Sequence, residues 1–161
     1  DEVARRSGVP KSTIYRRWPS LVDLAVDAVD TAMGSRECEP GEDPLADLSA
    51  IIVRAHAFFT TSPLSGSLPQ IALGLIGHPE AQAAYRDRII APLRNGAIDA
   101  VTRAAAAGRW QGPDPTTSVD MMIGAIVYRF NYLGHAADLD EAFEVAETVA
   151  RRPLPRPEAT R

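Results

Sequence analysis

Cysteine and long apolar stretches are scarce in this chain. Cys38 is the only cysteine among 161 residues, so no internal disulfide forms, and a reducing compartment such as the cytoplasm is the simplest location. The longest apolar run, from Met121 to Tyr128, is far shorter than the roughly 20 residues that cross a bilayer. No signal peptide is visible. We therefore expect a cytoplasmic protein without a membrane partner.

Residues that carry most enzymatic chemistry are also few and scattered. Lys11 is the only lysine, and no glycine precedes it at the spacing of a phosphate-binding loop. His56, His78 and His135 each lack a second ligand at metal-site spacing. Cys38 lies in an acidic loop, a setting that disfavours a reactive thiolate. The sequence predicts no enzyme, no catalytic residue, no metal and no cofactor.

Charge is distributed unevenly along the chain. Residues 1–18 contain five basic and two acidic residues, which gives this segment a net charge of +3. Because the whole chain carries −4, the remaining residues carry −7. The chain as a whole is not the basic polypeptide that binds nucleic acid without specificity, but its N-terminal segment has the charge expected of a DNA-binding element.

Apolar residues recur at helical spacing between clusters of glycine and proline, and no segment shows the sustained alternation of a strand. The sequence therefore predicts an all-α fold. Asp114 followed by Pro115 predicts a helix start, Gly134 predicts its end, and Pro92 predicts a bend within the pattern from 80 to 107. The clearest apolar stripes are Leu45, Leu48, Ile52, Ala55 and Phe59; Leu93, Ala97, Ala100, Val101 and Ala104; and Leu139, Ala142, Phe143, Ala146 and Val149.

The first 24 residues place two short helices on either side of a glycine. Gly8 tolerates the positive φ of a tight turn, and Val9, Ile14 and Trp18 form an apolar seam. The second helix, from about Pro10 to Trp18, is roughly 13 Å long at 1.5 Å per residue, which suits the major groove. This arrangement predicts a helix-turn-helix.

Gly8-Val9, Ile14-Tyr15, Trp18-Pro19-Ser20 and Leu24 together resemble the signature of the TetR family of bacterial transcriptional regulators. The resemblance implies a helix-turn-helix head on a helical-bundle body, and a palindromic operator in double-stranded DNA. It implies phosphate contacts from hydroxyl groups and contacts to base edges or backbone from the neighbouring polar and basic side chains. The DNA-binding residues expected on this basis are Lys11, Ser12, Thr13, Tyr15, Arg16 and Arg17.

Two residues depart from the family pattern, and the family's first helix is absent from this sequence. Pro10 replaces a common serine cap, and Leu21 replaces a lysine that contacts phosphate in relatives. Loss of one phosphate contact weakens DNA binding and its salt dependence. An alternative interpretation is therefore a dimeric helical binding module without DNA affinity.

The domain boundaries follow from these patterns. We expect a partial helix-turn-helix domain with a connecting helix over residues 1–33, a ligand-binding and dimerisation domain over 34–152, and a flexible tail over 153–161. On the connecting helix we expect Leu21, Leu24, Ala25, Ala28 and Val29 to face the body. The proline-rich tail cannot continue a helix. The excess of arginine over lysine, with abundant alanine, is typical of a GC-rich bacterial genome.

A small, largely apolar ligand is expected in the body, as the resemblance implies. Methionine adapts to irregular ligand shapes, and tyrosine and histidine add polar tips to apolar side chains. These residue types are also typical of ordinary core packing, and that interpretation stays open. The predicted ligand-binding residues are His56, Phe59, Met121, Tyr128 and Tyr132.

Dimer formation is expected because a two-fold operator is matched by a two-fold protein. The segments 116–133 and 139–150 carry more apolar surface than one small body buries, and the resemblance implies that they form a four-helix bundle between two chains. In the family, a ligand that favours one spacing of the two heads commonly releases a repressor from its operator.

Overall fold

The computed structural model describes residues 1–36, 38–135 and 138–156, and the described residues contain helices, turns and bends without a strand. The all-α fold predicted from the sequence is confirmed. The elements are α1 (Glu2–Ser7), α2 (Lys11–Arg17), α3 (Leu21–Met33), α4 (Pro44–Thr61), a 3-10 turn (Ser65–Ser67), α5 (Leu68–Gly74), α6 (Pro79–Tyr85), π1 (Arg86–Ile90), α7 (Ala91–Ala106), α8 (Pro115–Tyr128), π2 (Arg129–Leu133) and α9 (Leu139–Ala150), where π1 and π2 are π-helical segments.

The head consists of α1, a tight turn and α2. Gly8 ends α1 in the left-handed conformation, with φ 69°, which a glycine adopts without steric cost. Pro10 precedes α2 and provides no side-chain cap, as its chemistry requires. Neither α1 nor α2 buries a residue. The head therefore has no core within the described residues.

The connecting helix α3 leads from the head into the body. Ser20 and Asp23 form a reciprocal capping box at its start, in which Ser20 Oγ accepts from the Asp23 amide and Asp23 Oδ2 accepts from the Ser20 amide. Val26 and Val29 are its buried residues, whereas Leu21 and Ala28 are exposed. Val29 is buried as predicted, but Val26 is buried where Leu21 and Ala28 were expected, so the side that meets α5 and α6 differs in part from the predicted one.

Most of the body is a bundle of α4, α7, α8 and α9 around one apolar core. Phe143 at the centre is 0% exposed, and the predicted stripes on α7 and α9 are buried together. The buried core residues are Leu45, Leu48, Ile51, Ile52, Leu93, Ala97, Ala100, Val101, Ala104, Val119, Met122, Ala142, Phe143, Ala146, Val149, Ala150 and Leu154.

The two π-helical segments interrupt the long helical patterns. The interruption expected near Pro92 is π1, and Pro92 lies in the first turn of α7, where its missing amide hydrogen is tolerated. The second segment, π2, continues α8 and ends at Gly134 with φ 75°. The predicted start of α8 is also present, because Asp114 caps the amide of Thr117.

Residues 153–156 differ from the mobile tail that the prolines predict. Leu154 is 5% exposed and belongs to the core, and its amide donates to Glu147 Oε1 at 3.0 Å. Arg156 pairs with Glu147 and lies over the Phe143 ring. The apolar and charged side chains between the prolines hold this segment against α9, while residues 157–161 lie outside the described part. Among the described helices, none is long and apolar enough to cross a membrane.

Candidate DNA-binding face and ligand cavity

The second head helix presents all of the predicted DNA-binding residues to solvent. Tyr15 is 54% exposed, and Ile14 and Trp18 lie partly buried on the opposite side, toward α3. This division follows from the helical period, because the apolar pair is spaced by four residues. The exposed residues of this face are Lys11, Ser12, Thr13, Tyr15, Arg16 and Arg17.

Ion pairs within the head decide which cations remain available. Arg5 and Arg6 both pair with Glu2, and Lys11 pairs with Asp1. Among the described residues, the Arg16 side chain has no ion-pair or hydrogen-bond partner. Arg17 lies over the Trp18 ring at 4.8 Å. Because Glu2 balances only one of Arg5 and Arg6, two of the three net positive charges of the head lie at the end of α2.

Trp18 connects the end of α2 to the connecting helix. Its indole Nε1 donates to Asp27 Oδ2 at 2.8 Å. This hydrogen bond, together with those from Arg88, lowers the pKa of Asp27 below its ordinary value, so its carboxylate is ionised at neutral pH. A charge-assisted hydrogen bond of this kind stabilises the orientation of α2 relative to α3.

A cavity of about 260 Å³ lies in the body between α4, α7 and α8, next to the end of α3. Phe58 and Phe59 pack edge to face on one side, and Phe59 contacts Phe130 at 5.1 Å between ring centroids. The cavity lining is almost entirely apolar, which suits a ligand with little polar surface. The lining residues are Met33, Leu48, Ile51, Ile52, Ala55, Phe58, Phe59, Leu68, Ala72, Tyr85, Ile89, Ile90, Leu93, Arg94, Ala97, Val119, Met122, Ile123, Ile126, Val127 and Asn131.

Three polar side chains border this cavity. Arg94 donates to both carboxylate oxygens of Asp120, at 2.7 and 2.9 Å, so its charge is compensated. Burial raises the pKa of Tyr85, which keeps its hydroxyl protonated at neutral pH. Asn131 adds an amide that donates and accepts. The cavity thus offers neutral hydrogen-bonding groups and no uncompensated charge.

The structure places only one of the five predicted ligand-binding residues on this cavity. Phe59 lines it, whereas His56, on the same helix, is half-buried and does not. Met121, Tyr128 and Tyr132 are 51%, 56% and 75% exposed and lie on the opposite side of α8 and π2. These four residues thus do not line this cavity, and their contact with a ligand stays a prediction.

The residues that line the cavity on α8 form a second apolar stripe, offset by one position from the predicted one. Val119, Met122, Ile123 and Ile126 point inward, and all are without a hydrogen-bonding tip. The outward stripe mixes Met121 with tyrosines, next to the exposed Gly124 and Asp120. Purely aliphatic character is the signal that distinguishes the inward face. The contributions of Met33, Tyr85 and π1 carry no comparable signal, since they depend on how distant segments pack.

Tyr128 and Tyr132 instead form an exposed aromatic pair, stacked with their ring centroids 5.7 Å apart. With Met121 they make an apolar outer face on α8 and π2. On α9 the exposed residues are Asp140, Glu144 and Thr148, because its apolar stripe is buried in the core. The surplus apolar surface expected on both helices is therefore found on α8 and π2 but not on α9. Arg129 pairs with Glu141 across the two helices.

Comparison with known proteins identifies a family and a similar solved structure. A family model described as "Tetracyclin repressor-like, C-terminal domain" matches residues 40–149, which is more than half of the chain. The crystal structure of the TetR family transcription regulator SCO0332 is similar, with 27% sequence identity and a TM-score of 0.71. That similarity covers 96% of this chain and 86% of the other. No curated protein matches the chain significantly.

Proposed function

The chain belongs to the TetR family of transcription regulators, and from this membership we propose that it is a ligand-controlled DNA-binding repressor. The observation that carries the proposal is the apolar cavity of the body, which borders the connecting helix of the head through Met33. A ligand in this position touches the element that sets where the head lies. We also propose that the protein is located in a bacterial cytoplasm, because that compartment contains the DNA.

The proposed DNA contacts come from the exposed face of α2. Arg16 and Arg17 supply two of the three net positive charges, because Asp1 and Glu2 balance two of the other three cations of the head. Thr13 and Tyr15 supply hydroxyl groups for phosphate oxygens, and Lys11 and Ser12 lie at the start of the helix. We propose a palindromic operator read by two copies of this face.

The proposed ligand is small, uncharged and largely apolar, with one hydrogen-bonding group. An anion is disfavoured because Asp120 already compensates Arg94. A cation is disfavoured because the cavity lining holds no carboxylate. Tyr85 and Asn131 are the proposed polar contacts, since both place a neutral donor and acceptor at an otherwise apolar surface.

The proposed dimer forms through the outer face of α8 and π2. Met121, Tyr128 and Tyr132 are exposed there, and aromatic residues and methionine are enriched in interface cores. The acidic outer face of α9 lies at the rim of this contact, where charge stays hydrated. A two-fold axis along α8 would place the two heads side by side for adjacent major grooves.

One observation favours the alternative, a dimeric binding module without DNA affinity. α1 and α2 bury no residue, and Leu21 is exposed where relatives carry a lysine. DNA binding by the full-length chain separates the two functions. The measurement is fluorescence anisotropy with DNA from upstream of its own gene, against random DNA of equal length.

A regulator binds its upstream DNA tightly and with strong salt dependence, and Arg16→Ala weakens that binding. Arg86→Ala is the matched control, because Arg86 is an exposed arginine outside the head whose ion pair is with the adjacent Asp87. Equal affinity for upstream and random DNA would leave the alternative function standing.

Ligand binding is tested with 1-decanol, which is uncharged and apolar with one hydroxyl group. Isothermal titration calorimetry measures its binding. We expect one 1-decanol per chain in the wild type. Ala55→Phe fills the cavity and removes binding, while Ala46→Phe, at an exposed position on the same helix, retains it. Equal binding by both variants would place the ligand elsewhere.

A further inference from the structure

A chain of polar contacts runs from the end of α2 to the wall of the cavity. Trp18 Nε1 donates to Asp27 on α3, and the other oxygen of Asp27 accepts from Arg88 Nη2 at 2.7 Å. Arg88 also pairs with Asp30, one turn further along α3, where its Nε donates at 3.0 Å. Arg36 pairs with the second oxygen of Asp30. Arg88 thus bridges two positions that lie 58 residues apart in the chain.

Arg88 lies on π1, and its two following residues face the cavity. Ile89 and Ile90 both line the cavity, whereas the guanidinium of Arg88 reaches the opposite way, to α3. The segment is five residues long, and short π-helical segments, whose hydrogen bonds join residues five apart, occur frequently at functional sites. The segment π1 therefore lines the cavity through Ile89 and Ile90 and contacts the connecting helix through Arg88.

Two ionised carboxylates hold the Arg88 side chain against α3. Hydrogen bonds from Trp18 and Arg88 lower the pKa of Asp27. Burial raises the pKa of Asp30, but its hydrogen bonds with Arg88 and Arg36 outweigh that effect and lower it. Both carboxylates are ionised at neutral pH, so Arg88 is held by two charges on successive turns of α3. Arg88 therefore joins π1 to α3 at two positions.

We propose that Arg88 is the positioning residue that couples the cavity to the head: occupancy displaces Ile89 and Ile90, and Arg88 transmits the displacement through Asp27 to Trp18 and α2. The inference rests on the proposed function and adds the route by which the ligand acts. Trp18 adjoins Arg16 and Arg17, so a change at its indole reorients the two free cations of the DNA-binding face.

The two tryptophans allow a direct test by NMR. Trp18 reports on the proposed route, and Trp110, whose Nε1 donates to the Pro113 carbonyl at 3.0 Å, is an internal control within the body. In ¹⁵N-labelled full-length protein, we expect 1-decanol to shift the indole N–H resonance of Trp18 and to leave that of Trp110 in place. Calorimetry on the same samples records whether 1-decanol binds.

Arg88→Gln removes the charge that holds both aspartates, and Arg86→Gln is the matched control on the same segment. Both variants are expected to bind 1-decanol, but only Arg86→Gln keeps the Trp18 response. With upstream DNA, 1-decanol should lower the affinity at least about fivefold in the wild type and Arg86→Gln, and leave it nearly unchanged in Arg88→Gln.

Asp27→Asn is a second variant in case Arg88→Gln fails to fold, because its side-chain oxygen still accepts from Trp18 while the ion pair with Arg88 is lost. It should also bind 1-decanol without the DNA response. A normal Trp18 response in either folded variant, or none in a wild type that binds 1-decanol, would overturn the coupling route alone. Absence of 1-decanol binding to the wild type would overturn the proposed ligand cavity and this inference with it.

Discussion

The described parts of the head and the body are held by different kinds of contact. The body buries Phe143 and a continuous set of aliphatic residues between four helices, whereas α1 and α2 bury no residue. The position of the head rests on polar contacts such as that between Trp18 and Asp27. Burial of apolar surface stabilises a region of a protein. A region with few buried contacts opens or moves at a lower cost in free energy. In the proposed function, the ligand binds in the well-packed body, and the DNA-binding face lies on an element held mainly by polar contacts.

The largest expected effect separates the two regions by stability. Phe143→Ala should lower the free energy of unfolding by about 3–5 kcal/mol, since it leaves a cavity at the centre of the core. Ile14→Ala, in the partly exposed seam of the head, should lower it by less than about 1 kcal/mol. Urea denaturation at one protein concentration measures both. Equal losses would show that head and body form one cooperative core.

The next effect tests which face of the body is free for a second chain. Tyr128→Glu combined with Tyr132→Glu places charge on the outer aromatic pair and should weaken dimer formation by more than about 2 kcal/mol, while 1-decanol binding persists. Light scattering with size-exclusion chromatography gives the mass. The control is Ile76→Glu, at an apolar position that is also exposed but lies outside α8. A dimer that survives the double substitution places the interface elsewhere.

A smaller effect tests how the head uses its charge. Arg16→Ala should weaken DNA binding by about 1–3 kcal/mol and reduce the salt-dependence slope by about one, because one uncompensated cation is removed. Arg5→Ala should change both less, since Arg5 is already paired with Glu2. Anisotropy titrations at several salt concentrations give the slopes. The assignment of free charge to the end of α2 fails if the two substitutions have the same effect.

The smallest effect compares two helix starts. Ser20 caps α3 at the head, and Asp138 caps α9 in the body, each within a capping box. Either residue changed to Ala should cost about 1 kcal/mol. For Asp138→Ala the cost should appear in global unfolding, whereas for Ser20→Ala it should appear as faster amide hydrogen exchange in α2 and the first turn of α3. Thr148→Ala, exposed on α9, serves as the control and should change neither measurement.

The same contrast explains which features the sequence revealed. The helix-turn-helix, the all-α fold, the start of α8 and the stripes on α7 and α9 depend on local spacing and capping, and the structure contains them. The face of α3 was misjudged because Leu21 and Val26 are equally apolar in sequence, and only the position of α5 and α6 decides between them. Local patterns show that a helix has an apolar side but not what it meets.

The residues that line the cavity could not be predicted from local sequence patterns, for the same reason. Of its predicted residues only Phe59 lines it, and the tyrosines assigned to it lie on the outer face of α8 and π2. Either face of a helix with two apolar stripes could line a cavity. The packing of the other helices decides which face does. The pairing of Arg88 with Asp27 and Asp30 joins positions so far apart in the chain that no motif signals it.

The most direct test of the account is the affinity of the full-length chain for DNA from upstream of its own gene, measured by anisotropy with and without saturating 1-decanol. We predict tight, salt-sensitive binding that weakens at least about fivefold when 1-decanol occupies the cavity. An affinity that 1-decanol leaves unchanged, although calorimetry shows it bound, would contradict the claim that the body controls the head.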